Sequence, residues 1–329
     1  MKILLYTDVH WSMNSSIIQS RGIKYSTRLE NLIKSVNWAE HLAEEHGCDK
    51  IVCLGDFFDK PTLNAEEITA LKEIEWANIS HTFLIGNHET DMQDLQYASC
   101  HALPDDFEIV DGVAQISTFD SNIYFISYTQ DKSIKDFGIN KYDKNTIIFS
   151  HNDIAGIQYG ATISKVGFNI NEIEESCDLF VNGHIHNGDT ITKKVINLGN
   201  LSGQNFSENA FNYKHHAMIL DTITMEWTLY ENPFAFNFHK ITFKDIPNIP
   251  KKYGTVVSIE LNENELKMLD KKILNGIIYK LNIKSNCVAT NVDEALQFKV
   301  DHLEKFKECV YEKLGINDLV TEELNYICN

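Results

Sequence analysis

Along the first two thirds of the chain, short runs of consecutive apolar residues alternate with longer stretches in which apolar residues recur every three or four positions. The short runs, bounded by turn-forming residues, predict strands buried on both faces. The recurring spacing predicts amphipathic helices. Residues 3–6, 51–54, 82–85, 123–127, 146–150, 179–182, 191–196 and 216–220 are the expected strands. A helix is expected over 26–46, where Leu29, Leu32, Ile33, Val36, Ala39, Leu42 and Ala43 fall on one stripe. Thr27 and Glu30 have the spacing of a capping box, and Gly47 is a natural stop. A second helix is expected from Asn64, with Glu67 three residues on, to about Trp76. The alternation describes an α/β domain with a mixed sheet.

The pattern changes near residues 233–250, where Pro233, Pro247 and Pro250 fall close together. Three prolines in so short a stretch mark a boundary. Beyond it, residues 255–261 and 277–283 predict strands, and 263–274 and 292–314 predict helices. The chain is therefore expected to comprise a large domain over 1–243 and a small C-terminal α+β domain over 244–329. The last helix carries Val292, Leu296, Val300, Leu303, Phe306 and Val310 on one stripe. Core packing is its default role and docking on a partner the alternative.

Composition narrows the class. The chain has 329 residues, 43% of them hydrophobic, which is enough for a sizeable core. The opening sequence MKILLYTDVH has too short an apolar run for a signal peptide, and no apolar stretch approaches the ~20 residues that span a bilayer. A soluble, cytoplasmic protein with no membrane association is expected. Seven cysteines without a CxxC pair (Cys48, Cys53, Cys100, Cys177, Cys287, Cys309 and Cys328) fit reduced thiols. A net charge of −18 argues against a general nucleic-acid binder that works through its overall field. It does not exclude a nuclease, because bound divalent cations reverse the local field.

Five polar clusters each follow an expected strand: Asp8-Val9-His10, Gly55-Asp56-Phe57-Phe58-Asp59, Gly86-Asn87-His88-Glu89, Ser150-His151-Asn152 and Gly183-His184-Ile185-His186. Open α/β sheets place ligands at the carboxyl ends of strands. Carboxylate and imidazole ligands suit manganese and similar divalent cations, and no thiolate occurs in the clusters. Asp56 is a candidate to bridge two ions. The neighbouring glycines allow the backbone to turn sharply and come close to the metals. Two ions ~3.5–4 Å apart can clamp a phosphate, activate a water and stabilise an in-line transition state.

The order DxH, GDxxD, GNH, H, GHxH resembles the calcineurin-like metallophosphoesterase superfamily, and within it the SbcD-type DNA repair nucleases. The resemblance covers roughly residues 1–243. It implies a layered fold of mixed β-sheets flanked by helices, and two divalent ions, manganese by preference, with iron, zinc or magnesium as alternatives. It also implies that Asp8, His10, Asp56 and His186 hold the first ion and that Asp56, Asn87, His151 and His184 hold the second. His88 would protonate the leaving oxygen, and Asp59 would orient His88 through a hydrogen bond. The implied activity is that of a DNA exonuclease or endonuclease subunit, with DNA as substrate, an SbcC-type ATPase as partner and a homodimer as assembly.

The chain departs from that pattern in places. The third cluster reads GNHE where the nucleases more often have GNHD, and GNHE is common among the superfamily's protein phosphatases. Those phosphatases have Arg-Gly after GDxxD, however, and this chain has Lys60-Pro61. Without that arginine a diester is favoured over a monoester. Ser12 stands where the nucleases often have Gly, and Asn200 where they have Ser or Thr. A phosphatase or small-molecule phosphodiesterase is the first alternative, and a non-catalytic scaffold is the second. Elsewhere, His215-His216 head an expected strand, and a core role is favoured for them over ligation. Lys132, Lys135, Lys141 and Lys144 are interrupted by Asp131, Asp136 and Asp143, and a solvated loop is favoured over a DNA-backbone track.

Overall fold

The computed structural model describes residues 1–14, 22–90, 98–129, 132–139, 141, 144–159, 162–208 and 210–284. The described residues form, in order, β1 (Lys2–Tyr6), α1 (Thr27–Glu45), β2 (Lys50–Cys53), α2 (Ala65–Leu71), β3 (Ser80–Leu84), β4 (Glu108–Val110), β5 (Val113–Ser117), β6 (Ser121–Ile126) and β7 (Asn145–Ser150). After these come β8 (Gln158–Tyr159), β9 (Thr162–Ile163), α3 (Ile170–Ser176), β10 (Leu179–Asn182), β11 (Asp189–Thr190), β12 (Val195–Asn197), β13 (His216–Asp221), β14 (Trp227–Glu231), β15 (Asn237–Thr242), β16 (Thr255–Leu261), α4 (Glu263–Met268) and β17 (Ile278–Ile283). The chain divides into two units. One is Met1–Glu260 with Asp270–Asn282, and the other is Leu261–Leu269 with Ile283–Asn329. Residue 243, the expected end of the larger domain, falls just after β15. Helix α4 belongs to the second unit, and the expected helix over 292–314 lies outside the described residues.

The first unit is built on two six-stranded sheets, ordered β14-β13-β1-β2-β3-β4 and β11-β12-β10-β7-β6-β5. In each, four strands run parallel, β1 to β4 in one and β6, β7, β10 and β12 in the other. Antiparallel neighbours complete them: β13 and β14 in the first, β5 and β11 in the second. Alternating side chains of each strand face opposite layers. Ile3, Leu5, Val52 and Leu54 pack with Ile123, Phe125, Ile147, Phe149, Leu179 and Val181 into a core between the sheets. Leu4, Tyr6, Ile51 and Cys53 pack against the stripe of α1, and Ile148 and Phe180 pack with Ile173 of α3. The order is therefore helix, sheet, sheet, helix, a mixed α/β fold. The central strands are apolar throughout because both faces are covered. A small sheet, β15-β16-β17, contributes Phe238 and Val256 to an apolar cluster with Phe206 and Phe236.

Several expected boundaries shift, each for a local reason. The cap of α1 is Ser26, whose hydroxyl accepts from the Leu29 amide. Glu30 is not its capping-box partner, since it takes the amides of Lys24 and Tyr25 instead. Helix α2 has the expected Asn64–Glu67 capping box but stops at Leu71 rather than Trp76. Side chains of α1 capture the chain that follows: Asn37 Oδ1 accepts from the Glu75 amide and Glu40 Oε2 from that of Ala77. The strand expected over 191–196 is replaced by a hairpin of β11, at 189–190, and β12, at 195–197. Thr192 Oγ1 accepts from the amides of Lys194 and Val195 and folds the segment into a turn. The helix expected over 263–274 is α4 followed by a 3₁₀ turn at Lys271–Leu274, begun where Asp270 caps the Lys272 amide. Strands β4, β5, β8, β9, β14 and β15 are additions to the expected set.

Candidate metal centre

All five clusters lie at the carboxyl ends of parallel strands, those of β1, β2 and β3 in one sheet and β7 and β10 in the other. Beyond β1 and β2 the chain keeps pairing through its loops. Asp8 N donates to Gly55 O, His10 N to Asp56 O and Trp11 N to Phe57 O. Holding that pairing while turning the side chains inward requires unusual backbone. Asp8, His10, Asp56 and His184 have φ of 50°, 50°, 48° and 73°. The left-handed region disfavours L-residues, and such strain collects at functional sites.

The carboxylates are tethered on one side only. Asp8 Oδ2 accepts from the Thr7 hydroxyl at 2.6 Å and the His184 amide at 2.9 Å. Asp56 Oδ1 accepts from the His88 amide at 3.0 Å. The other oxygens face the imidazoles. Asp8 Oδ1 lies 3.8 Å from His10 Nε2 and 3.9 Å from His186 Nε2. Asp56 Oδ2 lies 3.2 Å from His151 Nε2 and 3.9 Å from both His10 Nε2 and His88 Nε2. Three sets of potential ligand atoms converge: Asp8, His10 and His186; His10, Asp56 and His88; Asp56, His151 and His184. Asp56 belongs to two of them.

The donor set fits divalent cations. Among the described residues, Asp8 Oδ1, Asn87 Oδ1 and His151 Nε2 are buried without hydrogen-bond partners, and such atoms are costly unless something binds them. His10 Nε2 and His186 Nε2 approach to 2.9 Å. Two nitrogens ~2.1 Å from one ion, at right angles to each other, stand about that far apart. The field agrees. Burial lowers His10 and His151, but Asp59, Asp8 and Asp56 outweigh it for His10, raising it to about 10. Asp56 and Asp8 outweigh it for His151, raising it to about 9. Burial raises Asp8, and His151, His10 and His186 nonetheless bring it down to about 2. Positive charge is strongly held here.

Three glycines make the approach possible. A Cβ on Gly55 would strike the His151 ring, one on Gly86 the Asp56 carboxylate, and one on Gly183 the Thr7 hydroxyl. The model of the family described as calcineurin-like phosphoesterase matches residues 1–188. The chain belongs to the calcineurin-like phosphoesterases. Membership implies a metal-dependent phosphoester hydrolase. No curated protein matches it. Among solved structures, the phosphoesterase is similar to a dimetal phosphatase from Danio rerio, with 12% identity, 70% of this chain and 99% of that one covered, and TM-score 0.39. It is similar also to an archaeal phosphodiesterase (14%, 70% and 99%, TM-score 0.35) and to the phosphoesterase Yfce from E. coli (14%, 70% and 100%, TM-score 0.33). Likeness at this level says nothing of substrate.

Around the phosphoesterase's imidazoles stands a second ring of groups, most of them unforeseen from sequence. His151 Nδ1 donates to Leu54 O at 2.8 Å, which leaves Nε2 for the site. His186 Nδ1 donates to Glu208 Oε1 at 3.3 Å, and His184 Nε2 lies 3.3 Å from Asp153 Oδ1. His88 Nδ1 donates to the main-chain oxygen of Asp59 at 2.9 Å. The Asp59 carboxylate instead faces His10 Nδ1 at 3.3 Å. Gln204 joins two of these groups, since its side chain donates to Asp59 and its amide to Glu208. Asn200 donates to Glu208 Oε1 as well. Glu208 and Asp153 stand 22 and 31 residues from the histidines they face, so local spacing does not reveal them. Glu89 is the exception, as part of GNHE. Its buried carboxylate takes the amides of Asp56, Phe58 and Gly86, clamping two of the site's loops together. Burial and Asp56 raise it to about 8.

The other candidates lie apart from these ligand sets. His215 donates to Asn200 in the core and is lowered to about 4 by burial. Lys135 pairs with Glu172 and Glu175, Lys141 with Asp178, and Lys144 donates to Thr118 O. Lys132 lies over the Phe137 ring. The basic run is thus occupied locally. Cys48, Cys53, Cys100 and Cys177 are buried free thiols. No helix among the described residues is long and apolar enough to cross a membrane.

Proposed function

We propose that this chain is a two-metal phosphodiesterase that cuts DNA as the nuclease subunit beside an SbcC-type ATPase, with manganese as its metal. The observation that carries the two-metal reading is Asp56 Oδ2, 3.9 Å from His10 Nε2 on one side and 3.2 Å from His151 Nε2 on the other, with His88 Nε2 also at 3.9 Å. In this reading Asp8, His10, Asp56 and His186 hold one ion, and Asp56, Asn87, His151 and His184 hold the other. The pair would neutralise the phosphate and supply an activated water. Asp56 would serve both sites. Its Oδ1 is tethered to the His88 amide, so one carboxylate would help hold the ions while it positions the acid. The His88 ring is 39% exposed and held by Asp59 O at Nδ1, so Nε2 is the atom that can hand a proton to the leaving oxygen.

A diester is favoured by Lys60, which stands where the superfamily's phosphatases carry an arginine. Its ammonium lies 3.1 Å from the buried Glu67 carboxylate and so is already paired. With a net charge of −18, the chain would depend on the ATPase for a basic DNA track.

The test is cleavage of end-labelled single- and double-stranded DNA with manganese, comparing wild type with His88→Ala. The expected result is cleavage by wild type and a loss of ~10²–10⁴-fold in the variant at unchanged metal content. Activity confined to chromogenic phosphomonoesters would select a phosphatase. No bound metal and no activity, with the ATPase present, would leave a scaffold.

A further inference from the structure

We propose that a cavity beside His186 is a pocket for the nucleobase flanking the scissile phosphate. This rests on the reading of the chain as a nucleic-acid diesterase. The cavity has a volume of about 540 Å³, within the range of small-ligand sites. Ile185 and Asn187 both line it, so along the chain His186 stands between two wall residues. Tyr213, on the wall, donates its hydroxyl to Asn200 Oδ1 at 2.9 Å. Asn200 Nδ2 donates to Glu208 Oε1, which also accepts from His186 Nδ1. The wall and the metal-facing imidazole are one hydrogen-bonded assembly.

The lining selects the ligand's chemistry. Among the described residues, its single charged lining residue is Asp189 and none is lysine or arginine, so it does not suit a phosphate. Ile185, Ile191 and the Tyr213 ring offer flat apolar surface, and Asn187 and Asn212 offer amides. Asn187 Oδ1 is buried and has no hydrogen-bond partner among the described residues. A neutral planar ring with donors and acceptors on its edge meets each of these features. Asparagine pairs in a bidentate manner with the N6/N7 edge of adenine. Asn187 is therefore a specificity-determining residue, and bases that present that edge are preferred.

The experiment uses the full chain with manganese and compares wild type with Asn187→Leu and the exposed Asn212→Leu. Two substrates are offered, an adenine dinucleotide and bis(4-nitrophenyl) phosphate, and deoxyadenosine binding is titrated separately. The expected result is a KM for the dinucleotide raised ~10-fold in each variant. Turnover of the chromogenic diester, metal content and circular dichroism should stay the same. A loss shared by both substrates, or no change for either, overturns the pocket. If wild type cleaves no diester, the diesterase reading fails separately. Deoxyadenosine then decides: binding that weakens in the variants keeps the pocket, and no binding to wild type removes it.

Discussion

Four residues of the site, Asp8, His10, Asp56 and His184, keep left-handed backbone at a cost of about 1–2 kcal/mol each. The buried loops and their amide–carbonyl ladder hold them there. The space around Asp56 is equally constrained. Gly86→Ala would place a methyl group against the Asp56 carboxylate and main chain. The expected outcome is substantial loss of bound metal and at least a ~10-fold loss of activity, read by metal analysis and initial rates. Glu208→Gln keeps shape but removes the charge facing His186. Metal affinity should weaken ~10–100-fold with an unchanged unfolding midpoint in chelator. A metal titration checks it, and unaltered affinity would remove Glu208 from the site's support. The clusters around Asp8, Asp56, His88, His151 and His184 are legible in the sequence because chemistry demands particular residues right after strands. Glu208, Asp153 and Gln204 are not. Each acts through a contact across the fold, and an isolated Glu, Asp or Gln in a loop has no pattern of its own.

Among the elements, α2 shows how a short helix can hold loops in place. Seven residues are too few to be stable alone. Its Glu67 is fully buried and takes the amides of Asn64 and Met13 as well as the Lys60 ammonium. The Trp11 indole donates to the Glu67 carbonyl. One side chain thus ties α2 to the loops after β1 and β2, which carry Asp8, His10 and Asp56. Glu67→Ala should cost about 3 kcal/mol, because two amides and the partly exposed Lys60 ammonium lose their partner. Denaturant unfolding would show it as a lower midpoint at an unchanged slope. The capping box itself was legible from Asn64 and Glu67. The end of the helix was not, because Asn37 and Glu40 of α1 capture the chain beyond it.

At the scale of the whole molecule, the acid limit of stability follows from buried histidines. His215 is fully enclosed, and burial lowers it from 6.5 to about 4. Below pH 6.5 the unfolded chain therefore takes up a proton that the folded chain refuses. The contribution of this neutral imidazole is complete above pH 6.5 and falls as pH drops toward 4. Two and a half units correspond to an upper bound of about 3 kcal/mol. His239, also buried and lowered to about 4, adds in the same direction. Glu89, raised to about 8, opposes them between pH 8 and 4.5, so stability measured by denaturant should fall from pH 6.5 to 4 by less than the two histidines alone would give, and His215→Gln should flatten that slope. An unchanged slope would show that His215 is not the cause.

The sequence alone determined the buried parallel strands, the stripe of α1 and the residues that end each strand in metal-binding chemistry. These depend on local periodicity and on which side chains can bind a cation. The tertiary structure decided the rest. It paired the strands into two stacked sheets whose carboxyl ends meet, so that Asp56 from one and His151 and His184 from the other converge. It turned the Asp59 carboxylate toward His10 while its carbonyl holds His88. It also added the edge strands β5 and β14, whose mixed polarity has no meaning until a neighbouring strand satisfies their backbone. Hydrogen-bond partners and enclosed charges are properties of three-dimensional neighbours, and a chain read in one dimension does not contain them.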